Sequence, residues 1–120
     1  MKTEEKILKE CHTIAVVGLS PNPERPSHHV AQYMMRAGYK IIPVNPTIKE
    51  VLGQVCYPSL SDIPEPVEIV DIFRRSDEVI PIIDEAIKKK AKAVWLQEGV
   101  VSEEAKERVK KAGMLFVQDT

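Results

Sequence analysis

The sequence has little cysteine, no long apolar run and almost no net charge, and each shortage argues against a class of protein. Its two cysteines, Cys11 and Cys56, form neither a CxxC redox pair nor the repeated Cys/His spacing of a zinc site. We therefore expect two free thiols in a reducing compartment. The first apolar run, residues 14–17, is too short for a signal peptide or a membrane span, so the cytoplasm is the expected location.

The charge balance argues against nucleic acid as a partner. The formal net charge is −1, whereas proteins that bind nucleic acid carry a basic surface that neutralises phosphates. A length of 120 residues, of which 43% are hydrophobic, suits one globular domain with its own core. We expect that domain to span residues 1–120, with residues 1–12 as an N-terminal helical extension.

Short apolar runs rich in β-branched residues alternate along the chain with stretches of helical spacing. Such runs are typical of strands that are buried on both faces of a parallel sheet. The alternation predicts a single Rossmann-like, doubly wound α/β domain with a mainly parallel sheet of five or six strands and helices on both faces. The expected strands are residues 13–17, 40–44, 67–73, 93–96 and 114–117, with a small edge strand at 54–56.

The connections between these runs carry helix signals. Serine is a favoured N-cap residue, so we expect helices to begin at Ser27, Ser76 and Ser102. Tyr33 and Met34 share the apolar face of the first crossover helix and are expected to pack on the sheet. Right-handed crossovers place the first strand between the second strand and the 67–73 strand, and a ligand crevice then opens above the carboxyl end of the first strand.

The loop after the first strand is a candidate anion site. It runs from Gly18 to Ser27 and includes Ser20 and Arg25. Free backbone N–H groups and the positive end of the following helix favour a phosphate, the glycine permits close approach, and the arginine adds a fixed charge. The full GxGxxG signature is absent, so an ordinary βα loop capped by its serine is an equally good interpretation of the loop alone.

The second strand ends at Asn45 and Pro46, where NAD-binding domains usually carry a carboxylate for the ribose 2′-hydroxyl. A carboxylate would repel a phosphorylated ribose, whereas an asparagine tolerates it, and Lys49 is near enough in sequence to contribute charge. This pattern favours NADP or coenzyme A over NAD. A turn in which the asparagine caps its own backbone explains the residues equally well.

Two further strands end in side chains suited to a ligand at that edge. Phe73 can pack against an adenine or an aliphatic arm. Arg74 or Arg75 can hold a phosphate, but adjacent strand residues point to opposite faces, so only one of them is expected to face the ligand. Gln97, two residues before Gly99, can hydrogen-bond an amide-bearing ligand such as pantetheine.

The sequence shows no recognisable catalytic apparatus. His28 and His29 are adjacent and cannot share one helix face, which makes them a poor metal pair. Glu98 is more simply interpreted as an acid near a helix than as a general base. No Ser/His/Asp relay is identifiable, so we assign no catalytic residue and no metal ligand and leave enzymatic activity open.

Taken together, these motifs resemble a known family. The segments that carry the resemblance are residues 16–20, 25–27, 38–39, 42–46, 53, 70–75 and 95–99. They resemble the small prokaryotic CoA-binding protein family, whose Rossmann-type domain is also that of the succinyl-CoA synthetase α subunit. The family pattern continues past its last strand with an Asp-Arg-Cys segment. The residues after the last expected strand here, 118–120, do not match that segment, and we carry over no role for it.

The resemblance implies a nucleotide-binding site for coenzyme A at the predicted crevice. The phosphates of the cofactor are expected to meet the loop of residues 18–27, and its nucleotide to lie near Asn45 and Pro46. Further contacts are expected from Phe73, Arg74 and Gln97.

Three functional hypotheses follow from these observations. The leading one is non-catalytic binding of coenzyme A or an acyl-CoA, a small-molecule partner, with no nucleic acid or membrane and with a protein partner or homo-oligomer left open. The alternative is an NADP-binding protein, or an acyl-CoA ligase subunit that acts with a separate catalytic partner. The third is redox regulation through a mixed disulfide between the CoA thiol and Cys11 or Cys56.

Overall fold

The β-branched runs of the sequence form the central sheet of the computed structural model, which describes residues 1–120. Four α-helices and a two-stranded hairpin connect or flank the strands. The strands are β1 (Thr13–Val17), β2 (Lys40–Val44), β3 (Glu50–Val51), β4 (Gln54–Val55), β5 (Ile69–Ile72), β6 (Ala93–Leu96) and β7 (Leu115–Val117). The helices are α1 (Thr3–Glu10), α2 (Pro26–Arg36), α3 (Val79–Lys88) and α4 (Glu103–Lys111).

The main sheet has five parallel strands in the order β2-β1-β5-β6-β7. The first strand lies between the second strand and β5, with Ile14 paired to both Ile41 and Ile69. The chain therefore moves outward from β1 to β2 and then returns to the other side of β1. Ligands of open α/β sheets bind at such a reversal, above the carboxyl ends of the strands. The predicted fold class is confirmed, and β1 lies between β2 and β5, which is the strand order from which the crevice was predicted.

The alternation of side chains along each strand gives the sheet two apolar faces. Ala15 and Val70 belong to the cluster that also contains buried residues of α3 and α4. Ile14 and Ile69 belong to the opposite cluster, which includes Ile7 of α1. Strands buried on both faces cannot alternate polar and apolar residues, which explains their continuous apolar runs. No helix combines the length and hydrophobicity that a bilayer span requires.

The predicted edge strand lies in a separate hairpin. Strands β3 and β4 pair with each other, and Leu52 and Gly53 between them both adopt positive φ, as a two-residue hairpin turn requires. Val51 of the hairpin belongs to the same core cluster as Ile41 of β2, and Tyr57, just after the hairpin, forms a parallel bridge with Val44 at the edge of the main sheet. The first part of the irregular, proline-containing segment from residue 45 to 66 therefore lies along the outer edge of β2, whereas Leu60 and Ile63 join the core cluster that contains residues of α3.

One of the three predicted helix caps is confirmed. The Oγ atom of Ser102 accepts a hydrogen bond of 3.1 Å from the backbone N–H of Ala105 at the start of α4. Ser76 instead begins a short 3₁₀ turn ahead of α3, and its Oγ accepts from the N–H of Val101 in another loop. The prediction for Ser76 is wrong because a tertiary partner takes the hydroxyl.

The predictions for the first crossover helix are wrong in two respects. Helix α2 begins at Pro26 with Arg25 as its N-cap. Ser27 lies inside the first turn, and its Oγ accepts a hydrogen bond from the N–H of Ser20 in the preceding loop. Tyr33 is 70% exposed, because the helix turns Ala31 and His28 toward the sheet instead. Met34 and Met35, together with Ala31, pack against the core on this side of the sheet.

Candidate functional site

A cleft of about 990 Å³ opens at the carboxyl ends of β1, β5 and β6, beside the first turn of α2. It is built by loops that follow three neighbouring parallel strands, which brings residues far apart in sequence to one edge of the sheet. Seven of the ten residues proposed from the sequence line it. They are Gly18, Ser20, Arg25, Ser27, Phe73, Gln97 and Gly99.

Gly18 is where the backbone of β1 turns into the cleft. Its φ is +88°, and a Cβ atom there would lie 2.5 Å from the carbonyl oxygen of Phe73 and 3.1 Å from Cδ of Arg74. Its N–H donates to the carbonyl of Val44, so the glycine is held against both neighbouring strand ends. A side chain at this position would both strain the backbone and push the β5 loop away from β1.

The loop from Gly18 to α2 is held by hydrogen bonds within the loop. The N–H of Ser20 donates to Oγ of Ser27 at 3.0 Å, and Nδ1 of His28 donates to the carbonyl of Ser20 at 3.0 Å. The backbone N–H of Ser27 has no acceptor within the chain, although the residue lines the cleft. Arg25 is exposed at the cleft rim and forms no ion pair with any carboxylate. The first turn of α2 thus offers a free donor and a free positive charge.

Gln97 closes the opposite side of the cleft. Its Nε2 atom donates to Oδ1 of Asp71, a residue of the neighbouring strand, and this contact fixes the orientation of the amide. The Oε1 atom of Gln97 has no donor within the chain, so it can accept a hydrogen bond from a ligand. Phe73 and Val30 supply the apolar wall nearby.

The other three proposed residues lie beside this cleft or turn away from it. Pro46 and Arg74 line a second hollow of about 440 Å³, on the other side of Gly18, which borders both. The guanidinium of Arg74 is paired with Glu78, with its Nε 2.9 Å from the carboxylate. Asn45 borders neither hollow, because its amide donates to the carbonyl of Leu19 and its oxygen accepts from Thr47.

The Asn45 contacts match the turn-capping interpretation of that residue, and they also tie β2 to the loop beside Gly18. Arg75, the other arginine considered for a phosphate, is largely exposed and pairs with Glu78 and Asp77. Of the two adjacent arginines, only Arg74 therefore borders a hollow at this edge.

Asp71 is a notable residue of the site that the sequence analysis passed over. It lies within β5 and is 6% exposed, and Gln97 is the only hydrogen-bond partner of its carboxyl within the chain. Removal from water raises the pKa of its carboxyl from 3.8 to about 7, and the hydrogen bond from Gln97 opposes part of that rise. A charged residue type inside the apolar run Ile69–Ile72 is the sequence signal that could have revealed it.

The two cysteines lie outside the cleft. Cys11 follows α1 and Cys56 follows the hairpin, and both are buried free thiols. Burial raises the pKa of each thiol, with nearby Glu68 adding to the rise at Cys11. Protonated, enclosed thiols are poor partners for the mixed disulfide considered from the sequence.

Comparison with known proteins places the chain among proteins of similar size and fold. A family model described as a CoA binding domain matches residues 12–120. The "Uncharacterized protein YneT" of Bacillus subtilis is 44% identical over 115 residues, which make up 96% of this chain and 85% of that protein. A hypothetical protein from Pyrococcus horikoshii OT3 has a solved structure that matches with a TM-score of 0.94 and 40% identity, covering 99% of this chain and 85% of that one.

Longer ligases contain a similar region. Acetate–CoA ligase [ADP-forming] II of Archaeoglobus fulgidus is 31% identical over 94 residues, which are 77% of this chain and 14% of the ligase. The apo form of the dinucleotide-forming acetyl-coenzyme A synthetase 1 of Ca. Korarchaeum cryptofilum matches with a TM-score of 0.76 and 30% identity, over 89% of this chain and 26% of that one. The chain thus corresponds to one part of these larger proteins.

Proposed function

Because the chain belongs to the CoA binding domain family, we propose that it binds coenzyme A or an acyl-CoA in the cleft above β1 and β5, without catalysing a reaction alone. The observation that carries this proposal is the chemical difference between the two ends of one cleft. Anion-binding groups lie at the α2 end, and a free amide oxygen with apolar neighbours lies at the β6 end. The volume of about 990 Å³ is at the upper limit of ordinary ligand pockets, as a nucleotide with a long arm requires.

The α2 end suits the phosphates. The free N–H of Ser27 and the positive end of the helix attract an anion, and Gly18 lets the ligand approach the backbone without meeting a side chain. The guanidinium of Arg25 is free to pair with a phosphate, since no carboxylate occupies it.

The β6 end suits the pantetheine arm. That arm carries amide N–H groups between short aliphatic stretches, and Gln97 offers an unoccupied oxygen acceptor held in place by Asp71. Phe73, Val30 and Val100 line the adjoining wall and can cover the aliphatic stretches. NAD and NADP carry a nicotinamide riboside in place of this arm and so lack its two amide N–H groups and aliphatic stretches.

Calorimetric titration with coenzyme A, dephospho-CoA, NADP and NAD tests the proposal. We expect coenzyme A to bind most tightly. The affinity of dephospho-CoA measures what the ribose phosphate contributes, and that of NADP shows whether a ribose-phosphorylated adenine dinucleotide binds without a pantetheine arm. The proposal is wrong if coenzyme A binds no more tightly than NAD.

Removing both arginines should weaken the binding of coenzyme A. A hydrogen bond to a charged group contributes roughly 1.5–3 kcal/mol, so loss of the free Arg25 alone should lower the affinity roughly tenfold to a hundredfold. Arg74 is already paired with Glu78, so its removal should cost less. We expect the double variant Arg25→Ala/Arg74→Ala to bind at least tenfold more weakly by calorimetry.

Arg36→Ala is the matched control, because it removes an exposed charge from the last turn of the same helix. It should bind coenzyme A as the unmodified protein does. Equal affinity of the double variant and the control would remove the two arginines from the site.

The ligases favour a second candidate function, that of a coenzyme A-holding subunit which acts with a separate catalytic chain. The similarity to 14% of the Archaeoglobus fulgidus ligase supports this alternative. Its test is purification of the native complex, followed by incubation with acetate, coenzyme A and ATP. Acetyl-CoA formed only with a copurifying protein would support the subunit role. A chain that purifies alone, binds coenzyme A and forms no product would support simple binding.

A further inference from the structure

A small apolar pocket of about 100 Å³ adjoins the β6 end of the cleft, between the sheet and helices α1 and α2. Val30 and Gln97 line both spaces. The phosphates and the pantetheine arm do not account for it, because its walls are almost entirely apolar. The pocket is lined by Leu8, Ile14, Val30, Met34, Ile69, Asp71, Trp95 and Gln97.

One polar atom in this pocket has no partner. Asp71 is more than nine-tenths buried and contributes its carboxyl to the lining. Its Oδ1 accepts from Gln97, whereas its Oδ2 takes part in no hydrogen bond within the chain. No fully buried side-chain polar atom in the structure lacks a partner, so this oxygen is accessible from the pocket. It is therefore available to hydrogen-bond a ligand that enters the pocket.

We propose that the pocket receives the short acyl group of an acyl-CoA and that the carboxyl of Asp71 donates a hydrogen bond to the thioester carbonyl. This inference rests on the proposed binding of coenzyme A. Gln97 connects the cleft with the pocket, because it lines both. Its oxygen is available to the pantetheine arm, while its Nε2 donates to the carboxyl of Asp71.

The volume of the pocket sets the length of the acyl group. A methyl or methylene group occupies about as much space as a water molecule, whose share of liquid volume is about 30 Å³. A pocket of about 100 Å³ therefore holds about three such groups. Acyl groups of two to four carbons fit, whereas an eight-carbon chain does not.

The surroundings of Asp71 keep its carboxyl protonated, as donation to a carbonyl requires. Its register partners are Val16 on β1 and Trp95 on β6, and α1 and α2 present Leu8 and Met34. None of these residues is charged, and desolvation, opposed in part by the hydrogen bond from Gln97, raises the pKa of Asp71 to about 7. The donor is therefore present below pH 7 and is lost as the pH rises above it.

Competition between acyl-CoAs of different length tests the proposal. Affinities for coenzyme A, acetyl-CoA, butyryl-CoA and octanoyl-CoA should be measured by calorimetry at pH 5.5 and pH 8. At pH 5.5 we expect acetyl-CoA and butyryl-CoA to bind roughly tenfold more tightly than coenzyme A, and octanoyl-CoA to gain nothing. At pH 8 the gain of the short thioesters should shrink severalfold.

Two variants separate the pocket from the cleft. Asp71→Asn carries an N–H donor at every pH, so its preference for acetyl-CoA should be the same at pH 5.5 and pH 8. Met34→Trp fills the pocket from α2 and should abolish the preference while leaving the affinity for coenzyme A unchanged. Equal binding of acetyl-CoA and coenzyme A at pH 5.5, or a preference that survives Met34→Trp, would overturn the acyl pocket. Failure of coenzyme A itself to bind would instead overturn the proposed function.

Discussion

Gly18→Ala is expected to cost about 3 kcal/mol or more of unfolding free energy and to abolish measurable binding of coenzyme A. A φ of +88° alone penalises an L side chain by roughly 1–2 kcal/mol. The added Cβ would also lie 2.5 Å from the carbonyl oxygen of Phe73, a backbone atom that cannot rotate away. Relief requires separation of the ends of β1 and β5, which form the floor of the cleft. Urea unfolding measures the loss of unfolding free energy, and calorimetry measures the loss of coenzyme A binding.

Gly113→Ala is the matched control for this change. Its φ is +79°, and a Cβ there meets nothing within 4 Å, so it bears only the conformational penalty. It should lose roughly 1–2 kcal/mol and bind coenzyme A normally. If Gly18→Ala and Gly113→Ala lost the same unfolding free energy, the contact between the added Cβ and the carbonyl oxygen of Phe73 would contribute nothing to the loss. Binding by a folded Gly18→Ala variant would show that the loop tolerates a side chain.

Local patterns in the sequence were sufficient to predict most of the fold. The apolar runs at 13–17, 40–44 and 93–96 become strands with those bounds, since a strand buried on both faces leaves a continuous apolar run. The alternation with helices then limits the topology to right-handed crossovers, which places β1 at the centre of the crevice. The strand expected at 67–73 is shorter, because Val67 and Glu68 precede the ladder at Ile69.

Features that depend on tertiary partners could not be predicted in the same way. Serine is a strong cap candidate by type, yet the Oγ of Ser27 accepts from Ser20 and that of Ser76 from Val101. Pro26, a residue type favoured at the first position of a helix, is a local signal that α2 begins before Ser27, whereas no local signal reveals the distant partner of Ser76. The exposure of Tyr33 has a similar origin, because the rotation of α2 is determined by the residues it meets on the sheet.

The candidate site also combines residues whose place could be predicted from the sequence with residues whose orientation could not. Residues that immediately follow a strand, such as Gly18, Phe73 and Gln97, meet at one cleft because the carboxyl ends of parallel strands share an edge. Side-chain direction was not available from the sequence, and the Asn45 amide turns toward Leu19 and Thr47. Asp71 was passed over because its position inside a strand suggests a place in the core rather than at a site.

Asp71→Asn is expected to stabilise the protein at pH 8 by about 4 kcal/mol. The carboxyl has a pKa of about 7 in the folded protein against 3.8 when solvated, so between these values the folded state keeps a proton that the unfolded state has lost. Stability therefore falls as the pH rises from about 4 to about 7. Each pKa unit corresponds to about 1.4 kcal/mol, which gives a total of about 4 kcal/mol once the carboxyl is ionised. The neutral asparagine bears no such cost and can still accept the hydrogen bond from Gln97.

Urea unfolding of Asp71→Asn and the unmodified protein between pH 4 and pH 8 measures this effect. The difference in unfolding free energy should be small near pH 4 and should grow until the pH exceeds 7. Asp77→Asn, whose side chain is 73% exposed, is the control and should stay within about 0.5 kcal/mol of the unmodified protein at every pH. Parallel profiles for Asp71→Asn and the unmodified protein would mean that the carboxyl ionises normally. The pH dependence proposed for the acyl pocket would then lose its physical basis, because both effects depend on the same desolvated carboxyl.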